Sequence, residues 1–281
     1  MVAILRVLLS LFILSLLFNG ALFGEEGSLD TLLSKNLKGL NTSSVGVAVL
    51  ELDKGVIYGI NKHAAFKPAS VAKIATSKLA LEELGPNYKF KTDVYVSGRK
   101  GSKVSTLTVR GAGDPSLTTE QLWVLAREIR AAGVRDIGKL ILDDSFFLVT
   151  RERSGQRAYE AGSSALSFNF NSVSFKVCPA NKVGLPASLV ADLFELPFSF
   201  YGSIKTTSSG AGRYLIDEVR GKEFTYRISG SIRRSSKCSR IYRSVRNPLL
   251  HFGLALRAFL DYVGVVVRSK EIKRGKLSVN S

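Results

Sequence analysis

Cysteine and histidine are scarce in this chain, two of each in 281 residues. A Cys/His structural zinc site needs four ligands, so it would have to use Cys178, Cys238, His63 and His251 together, and their spacings exclude it. A Ser-His-Asp triad would have to draw on His63 or His251. Acidic residues are also short: 23 Asp and Glu stand against 40 Lys and Arg, a net charge of +17. That imbalance points to an anionic neighbour, whether nucleic acid, membrane surface or acidic polymer. There is no internal repeat and no low-complexity tract. What is present is ordinary for a folded protein. Hydrophobic residues make up 45% and charged residues 22%, which excludes wholesale disorder. The length suits one large domain or two.

The first 24 residues read as a targeting segment. Met1 to Arg6 carries one positive charge, and Val7 to Phe18 is an apolar run of 12 residues. Asn19-Gly20 breaks the run and Glu25-Glu26 returns the chain to water. This is the order of a secretory signal, and the run is short for a membrane span, which takes about 20 residues. Ala21 and Gly24 are small, but the residues two positions earlier are Asn19 and Leu22, so the segment is either cleaved or kept as an anchor. No Cys follows it, which argues against a lipoprotein. The expected location is therefore outside the cytoplasm, in the periplasm or cell envelope. There a basic protein meets envelope polymers or anionic headgroups rather than DNA. Export also permits a Cys178–Cys238 disulfide; two buried free thiols are the alternative.

Ser28 to Leu37 reads as a short amphipathic helix. Ser44 to Leu52 alternates Val45, Val47 and Val49, and after the turn Asp53-Lys54-Gly55 comes Val56 to Ile60, so a β-hairpin is expected. Ser70 to Leu84 is the clearest helix, stopped by Gly85-Pro86. Strands follow over 92–97 and 103–110, then a helix over 120–132 and a strand over 139–142. Residues 165–247 are mostly strands and loops, and 248–263 turns helical again. Helix and hairpin segments flanking a β-rich middle predict an α+β class with a largely antiparallel sheet, one domain interrupted by an insertion. On this reading 25–93 and 248–281 form one part and 94–247 the inserted part.

Ser70 and Lys73 stand three apart at the start of the clearest helix, on one face, with Cβ atoms about 5–6 Å apart. Serine is a weak nucleophile at its own pKa and needs a base within hydrogen-bond reach. A lysine serves if desolvation removes its charge, and a helix N-terminus favours a developing oxyanion. The spacing alone is common. Ser97 and Lys100 repeat it in an evident turn. The bland alternative is an N-cap serine beside an exposed lysine. Context distinguishes Ser70: a hairpin, Asn61, then Phe66-Lys67-Pro68-Ala69, then an Ala-rich helix.

The segment from Phe66 to Gly98 resembles the active-site region of the penicillin-binding protein 4 type of serine D-alanyl-D-alanine carboxypeptidase/endopeptidases. The likeness continues through Gly111-Ala-Gly-Asp-Pro-Ser-Leu117, Asp143-Asp-Ser-Phe-Phe147 and the stretch 159–179, and runs to about residue 270. The resemblance implies a serine penicillin-binding/β-lactamase-like fold with an extra β-rich domain inserted after the active-site helix. It implies Ser70 as the acylated nucleophile, Lys73 as its general base, peptidoglycan stem peptides as substrate and β-lactams as covalent inhibitors. It implies no metal and no cofactor. Asp143 and Phe147 would face the side chain of the stem peptide, or else serve as a turn and a core aromatic. Gly111, Gly113 and Asp114 are expected to be turn residues.

The family's other two motifs are Ser-x-Asn and Lys-Thr-Gly. Lys-Thr-Gly does not occur in these residues; the nearest string is Lys205-Thr206-Thr207. Ser278-x-Asn280 and Ser167-x-Asn169 fit the other spelling, and both are read as coincidences. The chain is thus expected to be the first part of such an enzyme, needing a downstream segment for the missing motifs. Two other readings compete. One is a non-catalytic remnant that binds envelope polymer through its basic surface. The other is a nucleic-acid binder using Arg233, Arg234, Lys237, Arg240, Arg243 and Arg246 with Tyr242 interleaved. The second lacks a nucleic-acid motif and conflicts with export, so no nucleic-acid partner is expected.

Overall fold

The computed structural model describes residues 31, 33, 35–147, 155–192 and 196–277. Residues 1–24 and Ser278 to Asn280 lie outside them, and the helix expected over 28–37 lies only partly inside. The chain divides into two compact units, Met1–Asn87 and Tyr88–Ser281.

In the first unit the expected hairpin forms. Strand β1 (Val47–Glu51) pairs antiparallel with β2 (Gly55–Ile60), Val47 opposite Ile60. Asp53 at φ 77° makes the turn. After β2 the chain turns at Asn61, whose side-chain amide donates to the Val45 carbonyl at 2.8 Å. A 3-10 turn, Ala69–Val71, then runs into helix α1 (Ala72–Leu84). Ala, Leu and Lys fill α1, all good helix formers. Gly85 ends it at φ 79°, its N–H bonded to the Leu81 carbonyl at 3.1 Å, a backbone conformation that favours glycine.

The second unit begins with β3 (Thr92–Ser97) and β4 (Lys103–Gly111), paired antiparallel, followed by α2 (Thr119–Ala131) and β5 (Asp136–Asp143). β4 and β5 run parallel, with Val109 opposite Leu142. Two short strands, β6 (Val266–Val267) and β7 (Ile272–Arg274), also add parallel to β5. The expectation of a largely antiparallel sheet is therefore corrected. The 13-residue α2 carries the chain back across the sheet, so β5 enters in the same direction as β4.

Helix α3 (Pro248–Tyr262) starts at Asn247, whose side chain accepts the Leu250 N–H at 3.0 Å, with Pro248 in the first turn. It buries Phe252, Leu256 and Leu260 in one core with Leu122, Ala126 and Ile129 of α2 and Leu107, Val109, Leu140 and Leu142 of the sheet. Residues 248–274 thus pack against α2 and the sheet of this unit. The apolar stripe of α3 showed that it needs a cover. It did not show which surface supplies one.

A β-rich body lies between β5 and α3 in the chain. Its strands are β8 (Ser172–Cys178), β9 (Ser188–Ala191), β10 (Ser199–Gly202), β11 (Lys205–Thr207), β12 (Tyr214–Glu218), β13 (Thr225–Arg233) and β14 (Ser239–Ser244). β14, β8 and β9 form one antiparallel sheet; β13 pairs antiparallel with β12 and parallel with β10 and β11. Phe175 and Tyr226 meet edge to face at 4.8 Å in its core, with Val177, Ile204 and Ile216 around them. Cys178 and Cys238 are disulfide-bonded, which settles the two alternatives left by the sequence.

Candidate active site

The 3-10 turn before α1 determines where Ser70 points. Its first residue, Ala69, sits at φ 46°, a left-handed conformation that costs a residue with a Cβ roughly 1–2 kcal/mol. The turn continues into α1 through the Ala72 N–H, which bonds to the carbonyls of Ala69 and Ser70. Lys73 therefore lies over Ser70, and its Nζ donates to Ser70 Oγ at 3.2 Å. Ser70 caps neither the turn nor the helix: the cap positions are Pro68 and Val71, and no side chain bonds to either. This argues against the bland N-cap reading. Both side chains are exposed. A hydroxyl held against an amine at this distance allows a proton to pass between them.

The other serine–lysine pair is not brought together in this way. Ser97 ends β3 opposite Thr106, and Lys100 closes the turn into β4 through paired backbone bonds with Lys103. His251 offers no alternative base. His251 is fully buried on α3 between Phe168 and Phe224, and burial pushes its pKa down to about 3. His63 is exposed in a turn after β2.

Asp143 and Phe147 belong to the second unit. Asp143 is buried at the end of β5. Its carboxylate accepts the Ser145 N–H at 3.0 Å and the Leu277 N–H at 2.8 Å, with Arg110 at 3.9 Å. Burial pushes this carboxyl up, but those bonds and the Arg110 charge outweigh it and hold it below its ordinary range. Asp143 thus ties residues 275–277 to the end of β5. Phe147 is 39% exposed and rests against Gly113. A Cβ on Gly113 would come within 2.7 Å of its ring, and one on Gly111 within 2.1 Å of the Ala165 carbonyl. Both glycines are required by close approach. Asp114 accepts from the Ser116 N–H at 2.9 Å, as a turn residue.

The motif look-alikes have structural occupations. Lys205-Thr206-Thr207 is β11, which the sequence did not mark as a strand. Thr206 is buried and its hydroxyl accepts the Ala180 N–H at 2.9 Å. Ser167 and Asn169 bond to the Ser164 carbonyl and to Thr119. What sequence reasoning missed is the left-handed Ala69, since alanine carries no signal for that conformation. No cluster of three or more His, Cys, Asp or Glu side chains among the described residues could hold a metal ion.

Residues 26–280 match the D-Ala-D-Ala carboxypeptidase 3 (S13) family. The chain belongs to this family. The S13 chain is 29% identical over 240 residues to a D-alanyl-D-alanine carboxypeptidase of Actinomadura sp. (strain R39), covering 79% of this chain and 44% of that one. It is 24% identical over 246 residues to the D-alanyl-D-alanine carboxypeptidase DacB of Haemophilus influenzae, covering 81% and 50%. Its fold is similar to the crystal structure of penicillin binding protein 4 from H. influenzae, with a TM-score of 0.70 at 20% identity, over 83% of this chain and 53% of that one. The S13 chain thus spans about half the length of the curated relatives it matches.

Proposed function

We propose that this chain carries the nucleophile and base of a serine D-alanyl-D-alanine carboxypeptidase/endopeptidase acting on peptidoglycan stem peptides. The observation that carries this reading is the Lys73 Nζ to Ser70 Oγ contact at 3.2 Å, made by a serine that caps no helix. Membership of the S13 family supports it. In the proposed reaction, Ser70 Oγ attacks the carbonyl carbon of the D-Ala-D-Ala bond and passes its proton to Lys73 Nζ, acting as general base. The tetrahedral intermediate collapses, the leaving D-Ala nitrogen takes that proton, and an ester to Ser70 remains. Water then attacks the ester with Lys73 again as base, releasing the shortened peptide.

Within the second unit, the half-exposed Phe147 ring is proposed to meet a stem-peptide side chain, while Asp143 fixes the end of β5 through the Ser145 and Leu277 N–H groups. β-Lactams are proposed to acylate the same serine; a H. influenzae penicillin binding protein 4 of similar fold has been crystallised with a novel β-lactam. Action in the cell envelope follows from the signal-like residues 1–24. Catalysis by these 281 residues alone is proposed to be weak, because Lys-Thr-Gly is not among them. Losing one oxyanion donor typically costs about 10²–10³ in rate. A downstream segment carrying that motif is the proposed complement.

The test is labelling by a fluorescent penicillin, alone and with such a segment supplied. The expected result is slow labelling at Ser70 that the added segment accelerates. Adduct formation on another residue would overturn the assignment.

A further inference from the structure

The β-rich body sorts its charge by position. Residues 172–191, 203–216 and 224–244 contain ten Lys and Arg and no Asp or Glu. Topology brings one part of all three segments to a single end. The Gly184 N–H bonds to the Thr206 carbonyl at 2.8 Å and the Thr206 N–H to the Leu185 carbonyl at 2.9 Å. β11 then lies beside β13, Ser231 opposite Lys205 and Arg233 opposite Thr207. The Arg234 N–H bonds to the Thr207 carbonyl at 2.9 Å, and the Cys178–Cys238 disulfide ties Lys237 to the same end. Lys182, Lys205, Arg233, Arg234 and Lys237 are all exposed there. None of the five forms a salt bridge among the described residues, whereas Arg240 and Arg243 are paired with Asp192 and Asp217.

Two apolar side chains stand among these cations. Val183 and Leu185, on either side of Gly184, are each 50% exposed. Their loop is pinned to β11 by backbone bonds, including Ala187 N–H to the Ile204 carbonyl at 2.7 Å, so the backbone holds them outward. A soluble polyanion could neutralise the lysines and arginines but would leave Val183 and Leu185 in water. A membrane surface satisfies both sets, with phosphates for the cations and the headgroup–acyl boundary for the apolar pair.

We propose that this end of the β-rich body is a peripheral docking surface for anionic lipid. Lys182, Lys205, Arg233, Arg234 and Lys237 meet the headgroups, and Val183 and Leu185 enter the interface. The surface works independently of Ser70 and Lys73. It would hold the protein at the membrane face of the envelope.

The experiment is vesicle co-sedimentation of the full chain, with phosphatidylcholine vesicles beside vesicles that also contain phosphatidylglycerol. Residues 1–24 are common to every form compared, so differences report the docking surface. The unsubstituted chain is expected to bind the anionic vesicles more tightly, and less so as salt rises. Each cation near such a surface contributes about fivefold, so the triple variant Lys205→Glu, Arg233→Glu, Arg234→Glu should weaken binding on the order of 100-fold or more. Val183→Ser with Leu185→Ser should weaken it about 10-fold, because an exposed apolar side chain loses its buried methylenes. Circular dichroism and an intact disulfide verify that the variants fold. Equal binding to both vesicle types would overturn the proposal. So would a serine pair that binds like the parent while soluble polyphosphate competes fully, since that identifies a polyanion site instead.

Discussion

Helix α1 and helix α3 are similar in length and both rich in apolar residues, yet they are treated in opposite ways. α3 buries His251, Phe252, Gly253, Ala255, Leu256 and Leu260. α1 buries nothing, and its Ile74, Leu79 and Leu81 are 72%, 58% and 58% exposed. Their apolar patterns also differ. In α3 the apolar residues fall on one stripe that α2 and the sheet can cover. In α1 they are spread around the axis between Lys73, Lys78, Glu82 and Glu83. A helix that is apolar on several sides suits burial from several sides. The proposed serine chemistry thus lies beside a helix with little cover, while the buried cores lie in the other unit.

The largest expected effect tests the chemical half of that contrast. Ser70→Ala should abolish penicillin labelling, and Lys73→Ala should reduce it beyond detection, while melting temperature stays within a degree or two for exposed positions. Labelling that survives Ser70→Ala would remove the nucleophile from Ser70.

Phe252→Ala tests the structural half. A fully buried phenylalanine truncated to alanine typically costs about 3–5 kcal/mol, so the second unit should unfold at markedly lower urea. By the same measurement Ile74→Ala should change stability by no more than about 0.5 kcal/mol. If the two substitutions cost the same, α1 is covered and the contrast fails.

Reduction of Cys178–Cys238, which closes a span of 60 residues, should destabilise the β-rich body by about 2–4 kcal/mol. Thermal melts with and without reductant, beside the double serine variant, measure this. An unchanged midpoint would show that the hydrogen bonds of that end suffice.

The smallest effect concerns pH. His251 is held near a pKa of about 3 when folded against 6.5 when unfolded. Between those values the unfolded chain binds the extra proton, so folding stability falls as pH drops from about 6.5 toward 3. The slope from this residue is about 1.4 kcal/mol per pH unit at most. His251→Leu should flatten urea midpoints measured between pH 7 and 5. A slope unchanged by the substitution would assign the acid sensitivity to other groups.

Much of this protein was legible in its residues. The alternation of Val45, Val47 and Val49 before Asp53-Lys54-Gly55 is a hairpin by local chemistry alone. Gly85-Pro86 ends α1 for the same reason, and the Ser70–Lys73 spacing follows from helical geometry once the helix is granted. Each of these depends on neighbours within a few positions. The partners of α3, the parallel pairing of β4 with β5, the strand at Lys205 to Thr207 and the clamp that Asp143 places on Leu277 depend on residues far apart in sequence. So does the gathering of Lys182, Lys205 and Arg233 beside Val183 and Leu185, separated by dozens of positions but joined through β11. A hydrophobic stripe or a charge specifies what kind of surface it needs. Several surfaces of one chain meet that need, and only packing in three dimensions selects among them.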